Sequence, residues 1–277
     1  MISLPPPSAA DDETYLADLC QNAGWSVHQG PWLLAYAAYR QHGGNPWAFN
    51  PRAFVPDVGD DQRALYDARR SARRLQRIRQ TPGLLCCPMC GSPTTGGLDH
   101  YLPRSAYPEF SIMAANLVPA CTHCNSGVKG NICRGISPER FIHPYFDAFA
   151  NMPLWQVAFA PPYLAVTFCA VPAPGLNAEQ RSRVAFHLAH VLGSQFLLWA
   201  QNQWATFPQL VRNTIGGAGT VTTAHVATEA RTRLRDAVAT TGMNSWLSAF
   251  FRGLQEDMLA HVFIATATQP FMATPIA

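Results

Sequence analysis

The chain has 277 residues, 48% of them hydrophobic, with a formal net charge of +3 and a pI near 8.5. That length supports one large domain or two small ones with a real core, and the apolar content excludes wholesale disorder. The mildly basic balance permits a nucleic-acid partner without demanding one.

The distribution of charge says more than its sum. Lys129 is the single lysine against nineteen arginines, and seven of those arginines fall between Arg63 and Arg79. The N-terminal Met1-Ile2-Ser3-Leu4-Pro5 has neither the basic n-region nor the apolar h-region of a signal peptide. No apolar run approaches the ~20 residues that cross a bilayer. The expectation is a cytoplasmic protein without membrane contact, whose eight cysteines are thiols or metal ligands rather than disulfides.

In chain order, Asp11 to Ala23 and Pro31 to His42 are predicted helices, the second stopped by Gly43-Gly44. The proline- and aromatic-rich stretch from Asn45 to Gly59 is expected to be an ordered loop. Asp60 to Gln80 then predicts one helix with an apolar stripe of Leu65, Ala68, Ala72, Leu75 and Ile78, and Arg70, Arg73, Arg74 and Arg77 along its flanks. Those arginines read either as a solvated face near a helix C-terminus or as phosphate contacts. Beyond residue 150, two short strands over Gln156–Phe159 and Tyr163–Cys169 flank Pro161-Pro162. A capping box at Asn177 and Gln180 starts a helix running to Ala205. Gly216 to Gly219 marks a flexible break, after which Thr222–Ala239 and Asn244–Ile264 close the chain as two helices.

The chemistry concentrates between Cys87 and Lys129. Cys87-Pro-Met-Cys90 and Cys121-Thr-His-Cys124 are two Cys-x-x-Cys turns, each able to aim two thiolates at one ion, and together they complete a tetrahedral zinc shell. Thirty residues separate them, more than the roughly 15–20 of a plain zinc ribbon, so something is built into the gap. Cys86 leaves the wrong spacing and, with Cys20, Cys133 and Cys169, reads as a small core residue. Inside the gap lie Asp99-His100, Arg104 and Asn116, and Asn125 follows Cys124 directly. A neutral imidazole at His100 can accept a proton near neutral pH. Asp99 and Asn125 offer hard oxygen ligands to a cation such as Mg²⁺ or Mn²⁺. Arg104 and Lys129 flank them as phosphate clamps or surface charges. Alternate strand residues face opposite ways, so Asp99 and His100 require a strand end or bulge to serve one site.

Over residues 84–130, about a sixth of the chain, this pattern resembles the HNH endonucleases that carry a zinc-binding Cys-x-x-Cys pair on each side of a ββα-metal core. His100 matches the family's histidine, Asn116 its central asparagine, and Asn125 its last position, where histidine is more usual. The resemblance implies an α+β chain: a zinc-stapled ββα-metal module over residues 83–150, embedded between a helical region 1–82 with the basic arginine helix and a mostly helical region 151–277 with a short hairpin. It implies a metal-dependent nuclease cutting or nicking DNA, most simply double-stranded. His100 would be the base, Asn116 the brace for the loop carrying it, and Asp99 with Asn125 the ligands of the catalytic ion; His123 is an alternative to Asn125. The longer run Leu98–Ser111, with Asn116-Leu-Val-Pro119 and His143-Pro-Tyr-Phe-Asp147, is similar to bacterial HNH proteins, some acting in antiphage defence beside an ATPase partner. Two other readings stay open: a non-catalytic zinc-stabilised nucleic-acid-binding or adaptor protein, and an RNA-directed nuclease toxin.

Overall fold

A computed structural model describes residues 1–51, 58–216 and 219–268. It is a mixed helix and sheet structure with two separate two-stranded antiparallel sheets. Parts of the 45–59 loop and of the 216–219 break lie outside the described residues.

The N-terminal helices are α1 (Ala9–Leu19), α2 (Ala23–Ser26) and α3 (Gln29–Gln41). Ser8 caps α1 by accepting from the Asp11 amide, and Gly43 and Gly44 follow α3 in the left-handed region that ends it. Asp12 is the electrostatic centre here. It is 1% exposed, pairs with Arg40 at 2.5 Å and with Arg74, and accepts from the Ala114 amide at 2.8 Å. One carboxylate thereby ties α1 and α3 to the basic segment and to the loop entering the second cysteine pair.

The single helix expected over 60–80 is two: α4 (Gly59–Arg69) and α5 (Arg73–Arg79), with Ala72 extended between them. The reason is packing. Leu65 joins the main core, whereas Leu75 joins a separate small cluster with Leu98 and Leu117, and one straight helix cannot serve both.

Strands β1 (Gly97–His100) and β2 (Leu117–Ala120) pair antiparallel, Asp99 opposite Val118 and His100 opposite Leu117. Residues 122–128 then turn helically, with a π-helical stretch over Cys124–Val128.

In the C-terminal half, β3 (Trp155–Ala160) pairs with β4 (Thr167–Pro172). The second strand starts later than expected because Tyr163–Ala165 is a 3-10 turn. Trp155, Val157 and Phe159 face inward in alternation, while Cys169 points outward and is exposed, unlike the core role expected of it.

The helices that follow are α6 (Ala178–Val191), α7 (Ser194–Thr214), α8 (Thr223–Thr241), α9 (Trp246–Glu256) and α10 (Met258–Ala267). Asn177 and Gln180 form the capping box. The helix expected up to Ala205 breaks at Gly193 (φ 87°) and resumes as α7. The last helix breaks at Asp257, whose carboxylate caps α10 through the Ala260 amide. Helix α9 lies directly on β3, where a Cβ at Gly253 would come within 1.7 Å of the Val157 carbonyl oxygen. Asn244 ties this layer together, its side chain bonding Leu154, Ala150 and Met152 main chain at 2.8–3.2 Å. No helix among the described residues is long and apolar enough to cross a membrane.

Two expectations follow. Asp12→Ala leaves Arg40 and Arg74 without their shared carboxylate, and urea unfolding is expected to show a loss of roughly 3 kcal/mol. Burial holds His143 well below the ordinary imidazole range and His187 down at about 3, while burial pushes Glu109 up to about 7. The histidines contribute stability present above pH ~6.5 and lost as pH falls. Glu109 contributes stability present below pH ~4.5 and lost as pH rises toward 7. His100, which burial also holds at about 3, adds to the two histidines, so the unfolded chain binds more protons than Glu109 offsets and stability is expected to fall as the pH is lowered from 6.5 to 5. A urea midpoint that is flat or rising on acidification contradicts this.

Candidate active site beside a four-cysteine cluster

Each Cys-x-x-Cys segment is a hydrogen-bonded turn. Gly91 donates to the Cys87 carbonyl at 2.8 Å, and Asn125 to the Cys121 carbonyl at 3.0 Å. Amides also point at sulfur: Cys121 N lies 3.3 Å from Cys87 Sγ, and Cys124 N 3.4 Å from Cys121 Sγ. The four Sγ atoms of Cys87, Cys90, Cys121 and Cys124 are buried and all within 4.8 Å of one another, with Cys90 and Cys121 3.7 Å apart. Zn–S bonds of ~2.3 Å in a tetrahedron require sulfur–sulfur edges of about 3.8 Å, so donor type, number and spacing fit a zinc ion. Cys86 is buried outside this group.

The C-terminal helices grip both turns. His187 Nε2 donates to the Met89 carbonyl at 2.6 Å while its Nδ1 accepts from the Ile142 amide at 3.0 Å. Trp246 donates twice, from its indole to Cys90 O at 2.8 Å and from its amide to Gly91 O at 3.0 Å. On the second turn, His123 Nε2 lies 3.3 Å from Leu192 O, the carbonyl freed by the break before α7.

Between the turns, the β1–β2 pair presents the Asp-His dipeptide. His100 is the last residue of β1, where the strand ends. Its Nε2 donates to Ser111 O at 2.9 Å, which fixes the neutral tautomer and leaves the lone pair on Nδ1. Tyr66 of α4 meets the imidazole edge-on, ring centroids 4.5 Å apart. Burial pushes His100 down to about 3, with Arg104 and Lys129 adding to the effect against the Ser111 hydrogen bond. The ring is therefore uncharged and basic-tautomeric at neutral pH.

Asn116 is fully buried and works entirely through hydrogen bonds. Its Oδ1 accepts from the Leu102 amide at 2.8 Å and the Tyr39 hydroxyl at 2.9 Å; its Nδ2 donates to Leu102 O at 3.0 Å and Phe110 O at 3.2 Å. His143 Nε2 backs Tyr39 at 3.1 Å. This holds the chain leaving His100.

Asp99 is 4% exposed and turns to Lys129, whose Nζ sits 3.0 Å from Oδ2 and donates to His100 O at 2.7 Å. Burial raises the Asp99 carboxyl and the Lys129 charge pulls it back. Asn125 is exposed above Gly97, where an added Cβ would stand 3.5 Å from Asn125 Cβ.

Asp99, His100 and Asn125 line one cavity of about 420 Å³, with Arg70 and Arg104 on its walls. Of the other expected phosphate contacts, Arg73 and Arg77 are exposed on α5 outside the lining. Arg74 turns inward to Asp12, Ile112 O and the Tyr15 ring. Lys129 is buried, and neither it nor His123 reaches the lining. Arg79, part of the basic run, lines the cavity too, as do Tyr66, Asp67 and Asn131, which were missed from the sequence. Tyr66 and Asp67 sit four and three residues before Arg70 on one helix, so helical spacing could have found them; Asn131 carries no such signal. Asp67 pairs with Arg104 at 2.8 Å, and Arg104 lies 5.3 Å over the Tyr66 ring. Among the described residues, the buried Asp99 carboxylate and the exposed Asn125 amide bring hard oxygen donors to this cavity, a set that fits a hard cation better than a soft one.

Cys121→Ser is expected to lose the zinc, about one ion per chain in the wild type, and to lower the melting temperature sharply. Retention of both metal and melting temperature, by elemental analysis and calorimetry, contradicts the cluster as a structural zinc site.

No family profile matches the chain, and no solved structure does. Among known proteins, Protein ea31 of Escherichia phage lambda is 48% identical to it over 62 residues, which are 22% of this chain and 21% of ea31. The match thus spans about a fifth of that relative's length.

Proposed function

We propose that the chain is a metal-dependent endonuclease of the HNH type that hydrolyses DNA phosphodiester bonds. The observation that carries this reading is the tautomer of His100. With Nε2–H spent on Ser111 O, Nδ1 is the free lone-pair acceptor of a residue that lines one cavity with Asp99, Asn125 and two arginines of the basic segment, Arg70 and Arg79. The order of elements supports it as well: two antiparallel strands between the cysteine pairs, then a helical turn that carries Cys124 and continues past it. That is the arrangement the ββα-metal resemblance implies.

In this reading, His100 Nδ1 takes a proton from water as its oxygen attacks phosphorus. Arg70, Arg79 and Arg104 hold the phosphate oxygens by charge-assisted hydrogen bonds. Asp99 and Asn125 would hold Mg²⁺ or Mn²⁺, which supplies charge neutralisation at the leaving side. The exposed Arg73 and Arg77 extend the basic surface along the backbone of a double-stranded substrate. Cytoplasmic action in antiphage defence, with an ATPase partner, rests on the longer sequence resemblance alone.

One observation favours a second reading. Lys129 already neutralises Asp99, as suits a zinc-stabilised nucleic-acid-binding or adaptor protein without hydrolysis. Plasmid cleavage with added Mg²⁺ or Mn²⁺ separates the two. Wild type is expected to cut or nick, and His100→Ala to lose at least about 10²-fold in rate while keeping its zinc. Parallel assays on linear DNA, single-stranded DNA and RNA identify the substrate. Equal rates for both proteins, or no cleavage of any nucleic acid by wild type, sink the DNA nuclease; cleavage confined to RNA transfers it to the toxin reading.

A further inference from the structure

Lys129 is the single lysine of the chain, and its side chain is 1% exposed. A lysine with so little access to water needs a partner for its charge. It has three: Asp99 Oδ2 at 3.0 Å, the His100 carbonyl, to which it donates at 2.7 Å, and the face of the Phe141 ring, 5.5 Å from its centroid. Among the described residues, Lys129 is the partner of that buried oxygen.

The placement follows from two periodicities. Asn125 and Lys129 are four residues apart in a helical turn and share its face. Gly97 and Asp99 are two apart in a strand and share its face. Asn125 stands over Gly97 and Lys129 over Asp99. The turn thus sets a neutral oxygen donor and a cation side by side, and the cation covers the carboxylate that would bind metal.

We propose that Lys129 is a positioning residue, an internal counter-ion that holds Asp99 and the His100 main chain in register until a divalent ion enters, and that it must move off Asp99 when the ion binds. This rests on the reading of Asp99 as a ligand of the catalytic cation. Without the ammonium, Asp99 is a buried carboxylate with no charge partner beside the reacting group. With the ion in place, a second cation at contact distance from the same oxygen is repelled. Lys129 therefore lowers the affinity of the site while keeping it assembled.

The full-length protein, Lys129→Gln and Lys129→Met are titrated with Mn²⁺ alone, free ion being read by electron paramagnetic resonance, with zinc content and circular dichroism as checks on folding. Glutamine can still donate to the His100 carbonyl but carries no charge. Both variants are expected to bind Mn²⁺ about tenfold more tightly than wild type, a usual size for coupling between two sites. Binding by the variants alone supports the proposal equally. Because the chain has one lysine, isotope-labelled lysine gives a single side-chain resonance in the unaltered protein, and it is expected to shift saturably as Mg²⁺ is added. Equal Mn²⁺ affinity in the folded proteins, or an unmoved lysine signal once the ion is bound, overturns the proposal and leaves the metal-dependent reading standing. Absence of Mn²⁺ binding in all three overturns both.

Discussion

Everything in the candidate site depends on two cysteine turns being drawn together across thirty intervening residues. The 3.7 Å approach of Cys90 and Cys121 sulfurs closes a loop whose contents would otherwise have little to define them: β1 and β2 are four residues each, too short to be stable as an isolated pair in water. Zinc binding at such a cluster would be folding free energy, stabilising a hairpin that ends in His100 and a helical turn that carries Asn125. The four sulfurs suit a borderline-soft ion such as zinc, whereas the oxygens lining the neighbouring cavity do not.

Around that closure the histidines divide by what their second nitrogen does. His187 uses both nitrogens on main-chain groups, and His143 uses both within the Tyr39 and Tyr145 contacts. His100 commits one nitrogen, to Ser111, and faces a cavity. His123, His190 and His261 are likewise held through one nitrogen, and what separates His100 from them is that it lines the cavity beside Asp99. Asn116 supplies the rest of that orientation, because its amide satisfies both main-chain groups of Leu102 and so rigidifies the exit from the strand.

The cysteine spacing was fully legible in the sequence, since two Cys-x-x-Cys turns have little use but a shared ion, and the four thiols do converge. The helix start at Asn177 was legible for the same kind of local reason, whereas the first helix, expected from Asp11 to Ala23, starts earlier on its Ser8 cap and ends at Leu19. What escaped was set by tertiary packing. The break between α4 and α5 follows from Leu65 and Leu75 belonging to different clusters, which periodicity alone does not reveal. The arginine run was visible as charge, yet its members differ in kind: Arg74 is an internal strut for Asp12, Arg70 faces the cavity, and Arg73 faces water. Lys129 was legible as a charge beside the motif; that it would be buried on Asp99 depends on the pitch of the turn after Cys124.

The hydrogen bonds from His187 and Trp246 to the carbonyls of Met89, Cys90 and Gly91 bear on how this architecture can be cut and reused. Main-chain acceptors in a buried turn have no side chain to exchange, so their donors cannot be replaced from within the 83–150 segment itself. A graft carrying only the cysteines, the hairpin and the helical turn would present bare carbonyls at the metal's edge. The cysteines, the hairpin and the helical turn span residues 87–128, but the smallest transferable unit includes the helical shell that holds their backbone.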